Sequence, residues 1–368
     1  MKVICMKEML MKAMNTVSRA VPVRTTMDIL KCVLLQAEDR ELKITANDTA
    51  LGIETSIDAL VSEPGITAID ASLLQSIIRK LPDSEVMIES DAEQTVTISC
   101  EQSRFTISGR DFDDFVFLPE VNADACIEIS QFTLREMTNQ VIFSVADSDL
   151  NMIMAGVYVE IFDNKIRMTT LDGHRISIRI SELKESYDPV SAIVPGKTFN
   201  DLAKILSPDM EKTMKVSFSK NHAVFEFEKT KMVSRLIEGE YFRVDSMIRD
   251  EYATKITVNK KLFFDCLDRS TLLISESDKK PVIVDVKDEE MGIRLKSAIG
   301  SMNETIPIEK EGADIRIAFN PRLLMDVIRV IEDEEITVYL LKYNYPCRIR
   351  NEEGTYQYVV LPVNLREE

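Results

Sequence analysis

The sequence predicts an α+β protein made of three tandem copies of one unit, each with two helices and roughly eight strands. Three features lead there. An amphipathic helix pattern recurs at a spacing of 125 residues, a second helix pattern opens each unit, and the segments between them alternate like strands.

The recurrent helix is read at 70–81 (DASLLQSIIRKL), 195–206 (PGKTFNDLAKIL) and 320–331 (NPRLLMDVIRVI). Without a gap, Leu74 aligns with Phe199 and Leu324, Ile77 with Leu202 and Val327, Ile78 with Ala203 and Ile328, and Leu81 with Leu206 and Ile331. Their spacing of i, i+3, i+4 and i+7 puts them on one helix face. The opening helices are read at 7–19, 131–144 and 260–274, with Met14, Met137 and Leu267 in register. Segments 94–108, 215–228 and 336–350 show partial period-two alternation rich in β-branched and aromatic residues. Polar stretches near 122–125 and 248–252 divide the chain into domains 1–122, 123–250 and 251–368.

The 368 residues carry 45 Lys+Arg against 62 Asp+Glu, a net charge of -17. Spread evenly, such acidity argues against a polyanionic partner. No domain is basic: the first two carry -8 and -4 to residue 248, and the remainder -5. The repeat, however, concentrates cations. Arg79, Lys204 and Arg329 share one repeat position, with Lys80 beside the first. Seven residues earlier Lys197 and Arg322 coincide, with Ser72 in that slot of the first copy. In the opening helices Lys12 matches Arg135, while the third copy has Phe264 there and Arg269 nearby. A lone helix cation is ordinarily a solvated group, but recurrence in every copy points to a stripe that holds phosphates without reading bases. No stacking aromatics accompany it, which favours duplex over single strands. The competing expectation is an acidic scaffold that binds peptides and does not encircle DNA.

Catalysis finds little support. There are two His, and the six Cys stand singly, without metal-ligand spacing. The richest cluster is Thr169 to Arg175 (TTLDGHR), where Asp172 and His174 could act as a base and its orienting partner, or form a tight Asp-Gly turn between strands. No nucleophile elbow or carboxylate pair accompanies them. Pro195-Gly196-Lys197-Thr198 imitates the end of a phosphate-binding loop but lacks the earlier glycine. Lys7, Glu8 and Lys12 interrupt the apolar N-terminal stretch, so neither a signal peptide nor a membrane span is expected, and a cytoplasmic protein without cofactor or metal is.

Together with the repeat helices, Arg24-Thr-Thr-Met-Asp-Ile-Leu30, Thr170-Leu-Asp-Gly-His-Arg175 and Tyr358-Val-Val-Leu-Pro-Val-Asn-Leu365 resemble the bacterial DNA polymerase III beta subunits, the sliding clamps, over essentially the whole chain. The resemblance implies a clamp fold, a head-to-tail homodimer closing a ring around double-stranded DNA, and a non-catalytic processivity factor. Implied partners are the replicative polymerase, a clamp loader and other proteins bearing a short motif. It implies that Arg24 touches DNA alongside the helix cations, while Ser148 stands where a Gln is common. It places a hydrophobic peptide groove at Met154, Leu171, Gly173, His174, Arg175, Ile176, Phe242, Met247, Pro346 and the run Val359, Val360, Leu361, Pro362, Val363, Asn364, Leu365. It also sets Phe105 and Ile107 of one protomer against Leu272 and Leu273 of its partner. Three departures mark this chain: Glu240 to Val244 where Phe-Pro-x-Tyr is common, Ser246 in place of an Arg, and the extension Arg366-Glu367-Glu368.

Overall fold

The computed structural model describes residues 1–147, 151–275 and 280–364. They form six α-helices and 24 strands in two compact units, Met1–Phe132 with Lys204–Leu236, and Thr133–Ala203 with Ile237–Glu368. The division runs through the middle copy of the expected repeat.

The first unit contains α1 (Lys7–Val17) and α2 (Ala71–Lys80), packed on one another. Its five-stranded sheet runs Leu60–Glu63, Lys2–Met6, Glu85–Ser90, Thr95–Cys100, Ser103–Ser108. Its eight-stranded sheet runs Ala125–Ser130, Thr213–Phe218, His222–Phe227, Thr230–Arg235, Leu51–Asp58, Glu41–Asn47, Cys32–Glu38, Gly65–Asp70. This second sheet joins four strands of the middle copy to four of the first. The joint is antiparallel, Met232 opposite Ile53, with a Thr55–Thr230 hydroxyl contact of 2.8 Å.

The second unit holds α3 (Gln131–Val141, apart from its first two residues), α4 (Gly196–Ala203), α5 (Lys260–Thr271) and α6 (Pro321–Val330), with α5 packed on α6. A seven-stranded sheet runs Gly156–Leu171, Arg175–Pro195, Tyr356–Val360, Cys347–Arg350, Glu335–Leu340, Thr254–Asn259, Glu309–Gly312. It likewise carries middle-copy strands directly into third-copy strands, Ile176 opposite Val359. A four-stranded sheet runs Ser301–Pro307, Glu290–Lys296, Val282–Lys287, Ile315–Phe319. The first and third copies have nine strands each and the middle copy six, against an expected eight or so. Gly156–Leu171 and Arg175–Pro195 explain the shortfall, being 16 and 21 residues long and continuous through register shifts around Asp163.

The expected helix repeat is present residue for residue. The first, fourth, seventh and eighth positions of α2, α4 and α6 are buried in every copy: Ala71, Gly196 and Pro321; Leu74, Phe199 and Leu324; Ile77, Leu202 and Val327; Ile78, Ala203 and Ile328. Asp70 and Asn320 cap α2 and α6 by accepting the N–H of Leu73 (2.9 Å) and Arg322 (3.1 Å). The opening helices share a further device. Their first residues, Lys7, Gln131 and Lys260, donate backbone N–H to Ser84, Lys212 and Glu334 at 3.1, 2.8 and 2.8 Å. The Lys7 ammonium also donates to the Leu81 carbonyl at 2.6 Å, and Lys260 does the same to Ile331, so each ties down the end of the repeat helix beside it.

Counted from these first residues, the opening helices correct the expected register. Positions four, seven, eight and eleven are buried in all three, so Met14 aligns with Thr138 and Leu267, not with Met137. Lys12 therefore aligns with Glu136 and Asp265, and Arg135 sits one residue out of step with it. The cause is the polar Thr138 in an apolar slot. Its hydroxyl is satisfied by the Leu134 carbonyl at 2.7 Å, so it is buried without looking hydrophobic in sequence.

Candidate functional site

The cations differ in how free they are. Arg24, Lys12, Arg79 and Lys80 of the first unit are exposed, and none of them makes an ion pair among the described residues. Asn15 of α1 and Gln75 of α2 are joined by a 2.8 Å hydrogen bond across the helix pair. Lys12 lies one turn before Asn15 and Arg79 one turn after Gln75, so both cations share the solvent face of that pair. Lys204 is exposed in the turn following α4, where the helix stops short of the length of α2 and α6.

In the second unit Arg329 is exposed and lies 5.7 Å from the Phe264 ring centroid, bridging α6 to α5 as Gln75 bridges α2 to α1. Arg322 is exposed, Lys197 stands 3.5 Å from Asp201, and Arg135 is half-buried. Arg269 departs from the expectation. Its guanidinium grips Glu304 through two hydrogen bonds and holds that carboxyl below its usual range, so it is already neutralised. Glu304 lies 35 residues away on the strand Ser301–Pro307, which is why the pairing does not show in the helix pattern.

The groove residues divide by which side of the sheet they face. Leu171, Ile178 and Val244 form a small buried cluster, with Met154, Ile176 and Phe242 packed on it. Beside it a cleft of about 160 Å³ is lined by Met247, Ile248, Arg249, Tyr345, Pro346 and Val359, among others. Val359 and Val360 point opposite ways along their strand. Val360 is fully buried in the third-copy core and so offers no groove surface, a correction that follows from strand alternation. Leu361 and Val363 are exposed, with Pro362 and Asn364 between and after them. The Leu361 N–H donates to the His174 carbonyl at 2.8 Å, tying this tail to the turn. Leu365 and Ser148 lie outside the described residues.

The turn at 172–175 is built for position. Gly173 has φ +86°, a left-handed conformation that suits glycine. Asp172 Oδ1 accepts the N–H of His174 (2.9 Å) and Arg175 (3.1 Å), and its Oδ2 accepts Arg175 Nε at 2.8 Å. Both oxygens are committed, so Asp172 does not serve exposed His174 as an orienting acid. Arg175 is a hub with side-chain exposure of only 10%, donating also to Asp326 at 2.7 Å and to the Phe143 carbonyl at 2.5 Å. It joins the turn to Asp326 on α6 and to Phe143.

Several residues that line or brace this site escape a pattern search. Tyr241 stacks on Tyr158 with centroids 4.7 Å apart, and burial pushes its hydroxyl pKa up. Arg167 binds Asp245 in a fork at 2.6 and 3.1 Å and holds that carboxyl below its usual range. Glu160, 3.6 Å from Arg167, is pushed up by burial. The Tyr158–Tyr241 stack and the Arg167–Asp245 fork fix the segment carrying Phe242, Val244 and Met247, and each spans more than 70 residues.

The proposed dimer residues lie on an edge strand and in the turn after α5. Phe105 and Ile107 are on Ser103–Ser108, the last strand of the five-stranded sheet, and Phe105 is exposed. Leu272 is 78% exposed just beyond α5, while half-buried Leu273 packs on the third-copy core. Among the described residues no group of His, Cys, Asp and Glu could hold a metal ion, and no helix is long and apolar enough to cross a membrane.

Three family models match in succession: the N-terminal domain of the DNA polymerase III beta subunit at residues 1–119, its central domain at 128–242 and its C-terminal domain at 245–364. A beta sliding clamp of Staphylococcus epidermidis is 27% identical over 361 residues, covering 95% of this chain and 96% of the relative. The crystal structure of a putative DNA polymerase III beta subunit from Eubacterium rectale is 49% identical, with TM-score 0.96 over 99% of this chain and 100% of its own. The DNA polymerase sliding clamp of Bacillus subtilis matches with TM-score 0.96 at 28% identity over the whole of both chains.

Proposed function

The chain belongs to the DNA polymerase III beta subunit family, the sliding clamps, and from that premise we propose how its own residues do the work. Two copies join head to tail into a ring around double-stranded DNA. The clamp tethers the replicative polymerase and other partners and hydrolyses nothing itself. Its three domains are 1–122, 123–250 and 251–368, and it works in the cytoplasm.

One observation carries the ring. The eight- and seven-stranded sheets already run from copy to copy, whereas among the described residues Ser103–Ser108 and Ser301–Pro307 each stand at the end of a sheet. Pairing these edges between protomers, with Phe105 and Ile107 against Leu272 and Leu273, repeats outside the chain what happens twice within it. Arg24, Lys12, Arg79, Lys80, Lys197, Lys204, Arg322 and Arg329 then contact phosphates in no fixed register. Such contacts are sequence-independent and let the ring slide. Arg269, held by Glu304, contributes less. The net charge of -17 disfavours DNA elsewhere on the surface.

The groove from Met154 to Asn364 takes extended peptide segments of polymerase, loader and repair proteins, its apolar floor anchoring aliphatic and aromatic side chains. Primer extension on a primed single-stranded circle, with the cognate polymerase and loader, tests the function. Adding the chain is expected to turn short products into full-length ones; unchanged product length would refute it.

A further inference from the structure

Tyr345, at the edge of the cleft, is flanked by two cations. The Arg249 guanidinium lies 5.5 Å from its ring centroid and the Lys342 ammonium 5.9 Å. Both are exposed, and neither forms an ion pair among the described residues. Of the two acids nearby, Asp250 is engaged elsewhere and Glu251 is not. Asp250 accepts from Arg348 at 2.6 Å and lies 3.6 Å from Arg350. Glu251 lines the same cleft without an ion pair to either cation.

Arg348 explains why Arg249 stays where it is. It is buried, with 5% side-chain exposure, and it donates to the Arg249 carbonyl (2.6 Å), the Asp250 carboxylate (2.6 Å) and the Asp250 carbonyl (3.0 Å). That fork fixes the backbone at 249–250, and Arg249 departs from a rigid base. The turn from Lys342 to Tyr345 is closed by a 3.0 Å backbone hydrogen bond, which fixes the second cation relative to the ring.

Two like charges around one ring, in a protein of net charge -17, form a local reversal of sign beside an apolar floor. The ring face stabilises each cation but cannot neutralise either, whereas a carboxylate between them would. We infer that the groove of this chain selects partner peptides with an acidic side chain, Asp or Glu, placed beside Tyr345 within reach of Arg249 and Lys342. The inference rests on the peptide-groove reading above and adds the charge of one peptide position to it. The rest of the acidic surface repels such a peptide, so the cation pair also sets where it docks.

The test uses the full chain and amidated, fluorescein-labelled octapeptides with one Leu and one Phe anchor. A single Asp or Asn is walked through the other positions, and binding is read by fluorescence polarisation. Amidation removes the terminal carboxylate, leaving the side chain as the acid in question. At one position Asp should bind about fivefold tighter than Asn, and the ratio should shrink as salt rises. In the Arg249→Gln, Lys342→Gln double variant the Asp-to-Asn ratio should fall to near one, while Arg249→Lys alone keeps it. Equal binding of Asp and Asn at every position, or a ratio that survives in the double variant, overturns the inference and leaves the groove reading standing. Failure of every peptide to bind overturns the groove reading and the inference with it.

Discussion

Arg175 at the groove turn and Asp326 on α6 are joined by a 2.7 Å ion pair, although 151 residues separate them. The same carboxylate stands 3.8 Å from Arg329, the exposed cation of the third repeat helix. A groove residue and a proposed phosphate contact thus share one counter-charge. Asp326→Asn keeps the side-chain shape and removes the charge. Arg175 retains Asp172 and the Phe143 carbonyl, so the loss should be about 1–2 kcal/mol, a drop in Tm of roughly 2–4 °C. Arg175→Ala removes the buried charge partner of Asp172 and Asp326 and the donor to the Phe143 carbonyl, and should cost about 3 kcal/mol. Chemical denaturation of the two variants checks the order.

Reversing the repeat cations tests whether they act on DNA. The triple variant Arg79→Glu, Lys204→Glu, Arg329→Glu should lose clamp-dependent stimulation of the polymerase. In wild type the DNA contact should weaken steeply with salt, and the variant should show a shallower slope. An acidic peptide scaffold would lose nothing, so a stimulation assay at two salt concentrations separates the two.

The protomer edges give a prediction about mass. Phe105 and Leu272 are exposed in the single chain, so Phe105→Asp or Leu272→Asp should leave folding intact. Either should convert a dimer into a 41.9 kDa monomer by light scattering. A wild-type chain that already runs as a monomer would remove the basis of the ring.

The Arg167–Asp245 fork makes the groove sensitive to acid. Asp245 is held below its usual range, so its contribution is present above about pH 4, the unfolded value, and is lost as pH falls through the folded one. Glu160 is pushed the other way by burial, and its cost is relieved as pH falls through its raised value. Asp245 is largely exposed, which limits its share to under about 1 kcal/mol. Hydrogen exchange across 242–248 should therefore show greatest protection in mildly acidic solution and a fall below about pH 4. Arg167→Ala should abolish that fall and weaken peptide binding at neutral pH.

Sequence periodicity reveals α2 and α6 because their buried positions are apolar in each copy and their spacing is constant. It misplaces α3 by one residue because Thr138 satisfies itself through Leu134 and hides a core position behind a hydroxyl. Val360 joins the expected groove because a contiguous motif ignores strand alternation, which sends every second side chain to the core. Pairings such as Arg269 with Glu304 and Arg167 with Asp245 are invisible in one dimension. They depend on segments distant in sequence that the fold brings together, and so do the cations set around Tyr345.

The closed ring is tested most directly by retention on DNA of different topology. Loaded onto a nicked circular duplex and freed of loader, the protein should stay bound through gel filtration. It should leave rapidly once a restriction enzyme linearises the circle, because a ring slides off an open end. Equal retention on circle and line would contradict encirclement and mean that the cations bind DNA as an ordinary surface does.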